Sequence, residues 1–251
     1  MIISVSELSR NWGVTPNGVL HIGAHLGEEA QEYENFNWIP IIWVEAQPIL
    51  VKKLESKFQH PNHRVINAAI WNEDNVSLKL HVASNSMSSS LLEFGSHASS
   101  YPEIQFVSEI EVLTKRIDTL IDATDMPNFL NIDIQGAELA AIQSLGDLIT
   151  KVDYIFVEVN KREVYKECTK VGDLDSFLGD KGFNRVTTRW YIKQGWGDAL
   201  YIRKSKIKFR KPNQYLAVLL KDFLFYLRQI LSFLKINKIL KWVINSFHKH
   251  N

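Results

Sequence analysis

The chain has 251 residues, 45% of them hydrophobic and 23% charged, a globular composition that excludes collagen-like, disordered and fully membrane-embedded architectures. Its one cysteine, Cys168, rules out an internal disulfide, and no Cys/His cluster has zinc-finger spacing, which points to a reducing compartment. The net charge of +1 hides two opposite segments: residues 1–203 hold 18 basic and 27 acidic side chains, a net −9, whereas residues 204–251 hold 11 basic side chains and one acid, Asp222, a net +10. The sequence is therefore read as an acidic body, 1–203, and a basic tail, 204–251, with the seam at Lys204–Pro212. Met1–Glu7 has neither the basic nor the apolar region of a signal peptide, so a cytoplasmic protein is expected. There is no internal repeat, although Ser84–Ser100 is rich in serine.

In chain order, Gly18–Ile22 reads as a strand closed by the turn Gly23-Ala24-His25-Leu26-Gly27, with an acidic helix start at Glu28-Glu29. Ile41–Val44 is a second strand ending at Glu45, and Pro48 opens a helix to about Lys57. Val65–Ile70, Val76–Val82 and Glu109–Leu113 are strand-like. Phe129–Ile132 leads into Asp133, followed by a helix over about Ala137–Leu145. Asp153–Val159 is a strand, Leu174–Asp180 a helix, and Phe183–Trp190 and Ala199–Arg203 form a hairpin across Tyr191–Asp198. Strand-helix alternation predicts an α/β fold, a doubly wound, mainly parallel sheet ending in an antiparallel hairpin.

In such sheets ligands bind beyond the carboxyl ends of the strands, here Gly23–Gly27, Glu45, Asn67–Ala69, Asp133 and Glu158. The glycine turn lacks G-x-G-x-x-G, because His25 and Glu28 hold the second and third glycine places. Two acids at the helix start repel a pyrophosphate and suit a cationic or zwitterionic ligand. With Glu45 placed for a ribose diol, the pattern favours an adenosine-bearing ligand without phosphate. His21 and His25, four apart, invite a metal reading, but lying on a strand and a loop they read better as a packed strand residue and a turn residue. Asp133, Glu158 and Asn160 would offer oxygen ligands of a Mg²⁺ type, a minority reading without a matching motif. His81 and His97 flank the serine-rich stretch, read as a lid over substrate or as ordinary loop residues.

Asn131-Ile132-Asp133-Ile134-Gln135-Gly136-Ala137-Glu138 is the most specific stretch. With the glycine turn and Glu45 it resembles the FkbM family of S-adenosylmethionine-dependent methyltransferases, whose pattern is approximately (K/N)-I-D-(V/I)-E-G-x-E; Gln135 replaces a glutamate. Gly23, Ala24 and Gly27 match the family's D-x-G-A-N-x-G, with His21 and His25 in place of Asp and Asn. Val65–Trp71, Ser88–Leu91 and Val112–Leu120 extend the likeness across Gly18–Arg203. The resemblance implies a class I methyltransferase sheet and S-adenosylmethionine held by Gly23, Ala24, His25, Gly27, Glu45, Ala46, Ala69 and Asp133. It implies methyl transfer to a hydroxyl of a sugar or a natural product, with Asp133 and Glu138 as catalytic candidates. A glycan or glycolipid acceptor leads. An N-methyltransferase or natural-product methyltransferase of the same fold, and a non-catalytic cofactor-binding or scaffold protein, stay open.

Beyond Pro212 the tail has helical spacing. Lys221, Arg228 and Lys235 recur every seven residues, on the side of Gln214 and Ser232, beside a wide apolar face. The interrupting charges argue against a membrane-spanning helix. A basic amphipathic helix suits an anionic membrane surface, which would place the protein peripherally at the inner face; self-association through 213–248 is the competing reading. Nucleic acid is not expected as a partner, since the cations are interleaved with aliphatic bulk.

Overall fold

The computed structural model describes residues 1–207 and a helix, Pro212–Phe233. The chain divides into two compact units, Met1–Lys208 and Phe209–Asn251.

In the first unit ten strands form two sheets. They are β1 (Val19–Ile22), β2 (Ile41–Glu45), β3 (His63–Asn67), β4 (Ala69–Ile70), β5 (Ser77–Ala83), β6 (Phe106–Lys115), β7 (Phe129–Ile132), β8 (Tyr154–Asn160), β9 (Phe183–Tyr191) and β10 (Trp196–Arg203). The main sheet runs β3-β2-β1-β7-β8-β10-β9. Its first five strands are parallel, and β10 is antiparallel to both β8 and β9. The strand order reverses between β1 and β7, the switch point at which such sheets bind ligands.

Both faces of this sheet are buried, which is why its inner strands are continuous apolar runs rather than alternating ones. Alternate residues feed separate cores. Leu20, Ile22, Leu130, Ile132, Ile155 and Val157 pack with the helices Glu138–Gln143 and Val171–Asp180. Val19, Trp43, Phe129 and Phe156 pack on the other side with Leu8, Tyr33 and Leu54 of the helices Val5–Trp12, Ala30–Asn35 and Pro48–Lys57.

The register creates a single row across the carboxyl end of the sheet. Glu45 pairs with Asn67, Glu158 with Asp198, and Asp198 with Arg189. Continuing β1 and β7 by one residue beyond Ile22 and Ile132, which pair with each other, adds Gly23 and Asp133 to that row. Four of its seven positions, Glu45, Asp133, Glu158 and Asp198, are carboxylates.

The expected strand Val65–Ile70 breaks at Ala68. Asn67 ends β3 in the main sheet, and Ala69 begins β4, which joins β6 and β5 in a separate three-stranded sheet. Periodicity cannot signal this, since both halves are apolar. The hairpin turn is also tighter than expected, because β10 starts at Trp196 and Gly195 supplies a left-handed φ of 81°.

In the second unit, Pro212 opens a 22-residue helix, as proline is suited to a first turn. Leu219, Leu220, Phe223 and Ile230 are exposed on it. Lys235 and the rest of 234–251 lie outside the described residues. Among the described residues no helix is long and apolar enough to cross a membrane.

Candidate active site

The site is assembled from two strand-to-helix turns at the switch point. In the turn after β1, Gly23 has φ 82°, and a Cβ there would fall 1.8 Å from the carbonyl oxygen of Asp133. Only glycine lets the two turns touch. His25 adopts φ 47°, donates its N–H to Glu45 Oε2 at 2.9 Å and places its ring between Glu28 Oε1 (2.6 Å) and Ser86 Oγ (2.8 Å). The Glu28 carboxylate raises the His25 pKa. Gly27 makes room for Phe58, whose ring would lie 2.5 Å from an added Cβ. Ala24 is buried in the core.

Glu45 is buried, and burial raises its carboxyl. Its oxygens accept the N–H groups of His25 and Gln47, the latter at 2.8 Å. A carboxylate offers about four lone-pair sites, so two remain for a ligand diol. Asn67 fixes the loop after β2 by donating to the carbonyls of Glu45 (2.9 Å) and Ala46 (3.2 Å). Below this level His21 is buried beside Trp43 at 5.2 Å, with Tyr33 and Asn131 within 3.5 Å of its ring nitrogens. Burial drives its pKa down to about 4, so it is a neutral core residue supporting the turn from beneath.

In the turn after β7, Gln135 (φ 57°) and Gly136 (φ 111°) reverse the chain sharply. Glu138 is fully buried and braces the turn. Its Oε1 accepts the N–H of Gly136 at 2.9 Å and of Ile134 at 3.4 Å, while Oε2 has no partner. Burial above all, and Asp133 further, push its pKa up to about 7. Asp133, by contrast, is exposed to the cleft although protein surrounds it closely. Glu158 and Asp198 are 7% and 6% exposed. Burial, reinforced by neighbouring carboxylates, raises Glu158 well above the carboxylate range and Asp198 to about 6. Asp133 is thus the solvent-exposed member of the row, although the protein packed around it raises its carboxyl too, and Glu158 is the buried member, raised well above its ordinary value.

Two clefts meet here, sharing Met87, Asp133 and Gln135. The first has apolar walls from Ile22, Val44, Ala69, Ile70 and Leu80, carboxylates at Glu45 and Asp133, and no Lys or Arg in its lining. That donor set fits a cation-bearing adenosyl ligand: flat apolar walls for a base, an acceptor for a diol, and negative charge for a sulfonium. His25 and Ala46 also line it; Ala24, Gly27 and Glu138 shape the turns without lining either cleft. The serine loop closes over it, latched by His25 to Ser86 Oγ and by Gln47 Nε2 to the Ser86 carbonyl at 3.3 Å. The second cleft is walled by Tyr101, Tyr191, Trp196, Glu158, Asp198 and His97. His97 bonds Ser88 Oγ at 3.2 Å and stacks on Phe94; His81 pairs with Glu109 at 3.2 Å.

Within the oxygen set Asp133, Glu158 and Asn160, the two carboxylates share one donor. Gln135 directs amide N–H donors at both carboxylates, and among the described residues no three His, Cys, Asp or Glu side chains are grouped to hold a metal. Both polar atoms of buried Asn160 lack a partner.

Sequence reasoning missed Asp198, Tyr165 and the bridging role of Gln135. For Asp198 the signal was present, one acid inside the run Gly197–Ile202 that a hairpin must bury. Tyr165 had none, since it comes from a loop after β8.

The sequence matches the Methyltransferase FkbM domain family over residues 21–185, more than half of the chain. No curated protein sequence matches it. Among solved structures, Sp1610 of Streptococcus pneumoniae, in complex with S-adenosyl-L-methionine, is 15% identical with a TM-score of 0.42, covering 84% of this chain and 78% of that one. A TehB-like S-adenosylmethionine-dependent methyltransferase of Corynebacterium glutamicum is 9% identical, with 74% and 80% covered and a TM-score of 0.39. The magnesium protoporphyrin IX methyltransferase of Synechocystis, with bound S-adenosylmethionine, is 12% identical, with 76% and 72% covered and a TM-score of 0.38. On the strength of the family match, the chain belongs to the FkbM family of S-adenosylmethionine-dependent methyltransferases.

Proposed function

We propose that the chain is an O-methyltransferase whose acceptor is a sugar hydroxyl on a glycan or glycolipid, with Asp133 as general base. The observation that carries the reading is the position of Asp133, exposed in the wall common to a cofactor-like cleft and a second cleft. S-adenosylmethionine supplies a methyl group on a sulfonium sulfur. The chain's part is to hold the acceptor oxygen in line with it, an orientation effect worth up to ~7–11 kcal/mol, and to take the hydroxyl proton at Asp133, a contribution of about 10²–10⁴-fold.

The second cleft supports a saccharide: aromatic faces at Tyr101, Tyr191 and Trp196 suit the apolar faces of a sugar ring, and Glu158 and Asp198 offer hydrogen-bonding partners to its hydroxyls. With no Lys or Arg in its lining, the cleft disfavours a polyanion such as nucleic acid. Glu138, bonded to its own turn, is proposed as a positioning residue. Incubation with labelled S-adenosylmethionine and a panel of neutral sugars, amines and RNA tests the assignment. Label in a sugar, lost on Asp133→Asn with the fold retained, is expected; label in an amine alone would replace O-methylation by N-methylation. No S-adenosylmethionine binding by calorimetry would leave only the scaffold reading.

The segment 204–251 is proposed as a separate functional part that brings the body to an anionic membrane surface. The apolar side chains exposed on its helix and its net +10 support this. Flotation with phosphatidylserine vesicles should capture the full chain and lose it after removal of 213–251; a change in oligomeric state on that removal, without flotation, would favour self-association.

A further inference from the structure

Gln135 stands where the family pattern has a glutamate, and its surroundings give the exchange a purpose. We propose that Gln135 is a second positioning residue of the reaction, beside Glu138: its carboxamide, oriented by Tyr165, spans Asp133 and Glu158 and fixes the Asp133 carboxylate in the wall shared by the two clefts. This rests on the reading of Asp133 as the base.

The orientation of the amide follows from its partners. The Tyr165 hydroxyl has two acceptors in reach, Gln135 Oε1 at 2.6 Å and the Ser88 carbonyl at 3.3 Å; its one proton favours the shorter contact, which sets Oε1 towards Tyr165 and Nε2 the other way. There one N–H meets Asp133 Oδ1 and the other Glu158 Oε2 at 3.3 Å. The backbone is held as well: Gln135 has φ 57°, a conformation rarely adopted by residues other than Gly, Asn or Asp, and its carbonyl accepts Ser90 Oγ at 2.8 Å. The side chain is thus held at three points, by Asp133, Glu158 and Tyr165.

The charges around Asp133 show why a donor is needed. Glu158 is next to it on β8 and Asp198 beyond that on β10, Glu138 stands in the next helix, Glu29 is a further nearby acid, and neutral His21 lies beneath; the amino group of Met1 is a nearby cation. Among the described residues, the side-chain hydrogen bond to Asp133 comes from Gln135. A carboxamide can donate to an ionised Asp133 and to the carbonyl oxygen of a protonated Glu158 together. An ionised glutamate could donate to neither, and a protonated one, with a single O–H, to only one of them. The proton leaving the acceptor hydroxyl then passes to Asp133 as the oxygen–methyl bond forms, while the electron pair of the breaking carbon–sulfur bond stays on sulfur.

The test is a ¹³C carboxyl NMR titration of the ligand-free full chain, with S-adenosylmethionine calorimetry in parallel. Gln135→Asn tolerates the left-handed backbone but is one methylene too short to span both acids. Its Asp133 midpoint should rise by about one pH unit, as expected for loss of one charged hydrogen bond. Gln135→Glu should raise it further. Tyr165→Phe leaves carboxyls and backbone in place and should shift it less, in the same direction. An unchanged midpoint in folded Gln135→Asn and Tyr165→Phe overturns the inference, and so does a rise confined to Gln135→Glu, which would report repulsion alone. Shifted midpoints in a chain that binds no S-adenosylmethionine would uphold the clamp and remove the methyl-transfer reading.

Discussion

The turns after β1 and β7 do the same geometric job with different chemistry. Both carry a non-glycine residue in the left-handed region, His25 and Gln135, and both contain glycines no other residue can replace without strain. The first turn is held by an outward, half-solvated pair, His25 with Glu28, and by backbone donors to Glu45. The second is held from inside by Glu138, which is fully buried. A surface pair is screened and forgiving, whereas a buried carboxylate accepting backbone N–H groups is costly to lose. The first turn therefore meets the serine loop through a part-exposed contact, His25 to Ser86, while the second is braced by a buried carboxylate.

Substitutions should separate the two turns in a graded way. The largest effect is expected from Gly23→Ala, since the added Cβ meets a backbone oxygen at 1.8 Å: a loss of about 4 kcal/mol or more in urea unfolding, together with S-adenosylmethionine binding. A loss under 1 kcal/mol would mean the turns are not in the contact described. Next, Glu138→Ala strands the N–H groups of Ile134 and Gly136 and should cost about 2–3 kcal/mol, measured the same way.

Glu158→Gln should act in the opposite sense. The folded chain holds Glu158 and Glu138 protonated at pH values where the unfolded chain has released those protons, so stability is fullest below the ordinary carboxyl pKa of 4.5 and declines as pH rises, for Glu138 towards 7. The amide should therefore raise stability at pH 8 by about 1–2 kcal/mol and leave pH 4 nearly unchanged. Equal effects at both pH values would contradict a protonated Glu158. The smallest effect belongs to His25→Ala, about 0.5 kcal/mol or less, because Glu28 is 48% exposed. His25 is raised, so its contribution is present below pH 6.5 and fades as pH climbs through its folded value; salt should weaken it.

Much of the main sheet was legible because two-sided burial writes each parallel strand as an apolar run with an abrupt polar end. Gly23, Glu45, Asp133 and Glu158 were found that way, as the residues that stop those runs. The helix Pro48–Lys57 was marked by its proline and appears with those bounds. The helix Val5–Trp12 went unread, although Ser4 caps it by accepting the N–H of Glu7 at 3.2 Å; eight residues give too little periodicity to stand out. The second sheet was not legible either, because pairing among β4, β5 and β6 depends on partners more than forty residues apart in places.

The sequence by itself determined the order of the elements, the family and the polar residues at the strand ends, because burial period and turn chemistry are local properties. Only the tertiary structure decided which of those acids is exposed, which is raised furthest by burial and which braces a turn. Register across seven strands sets Asp133 beside Glu158 and Asp198, and the fold then withdraws water from two of the three. Charge in a sequence is a count; its chemistry depends on how much water and how many donors the fold leaves around it.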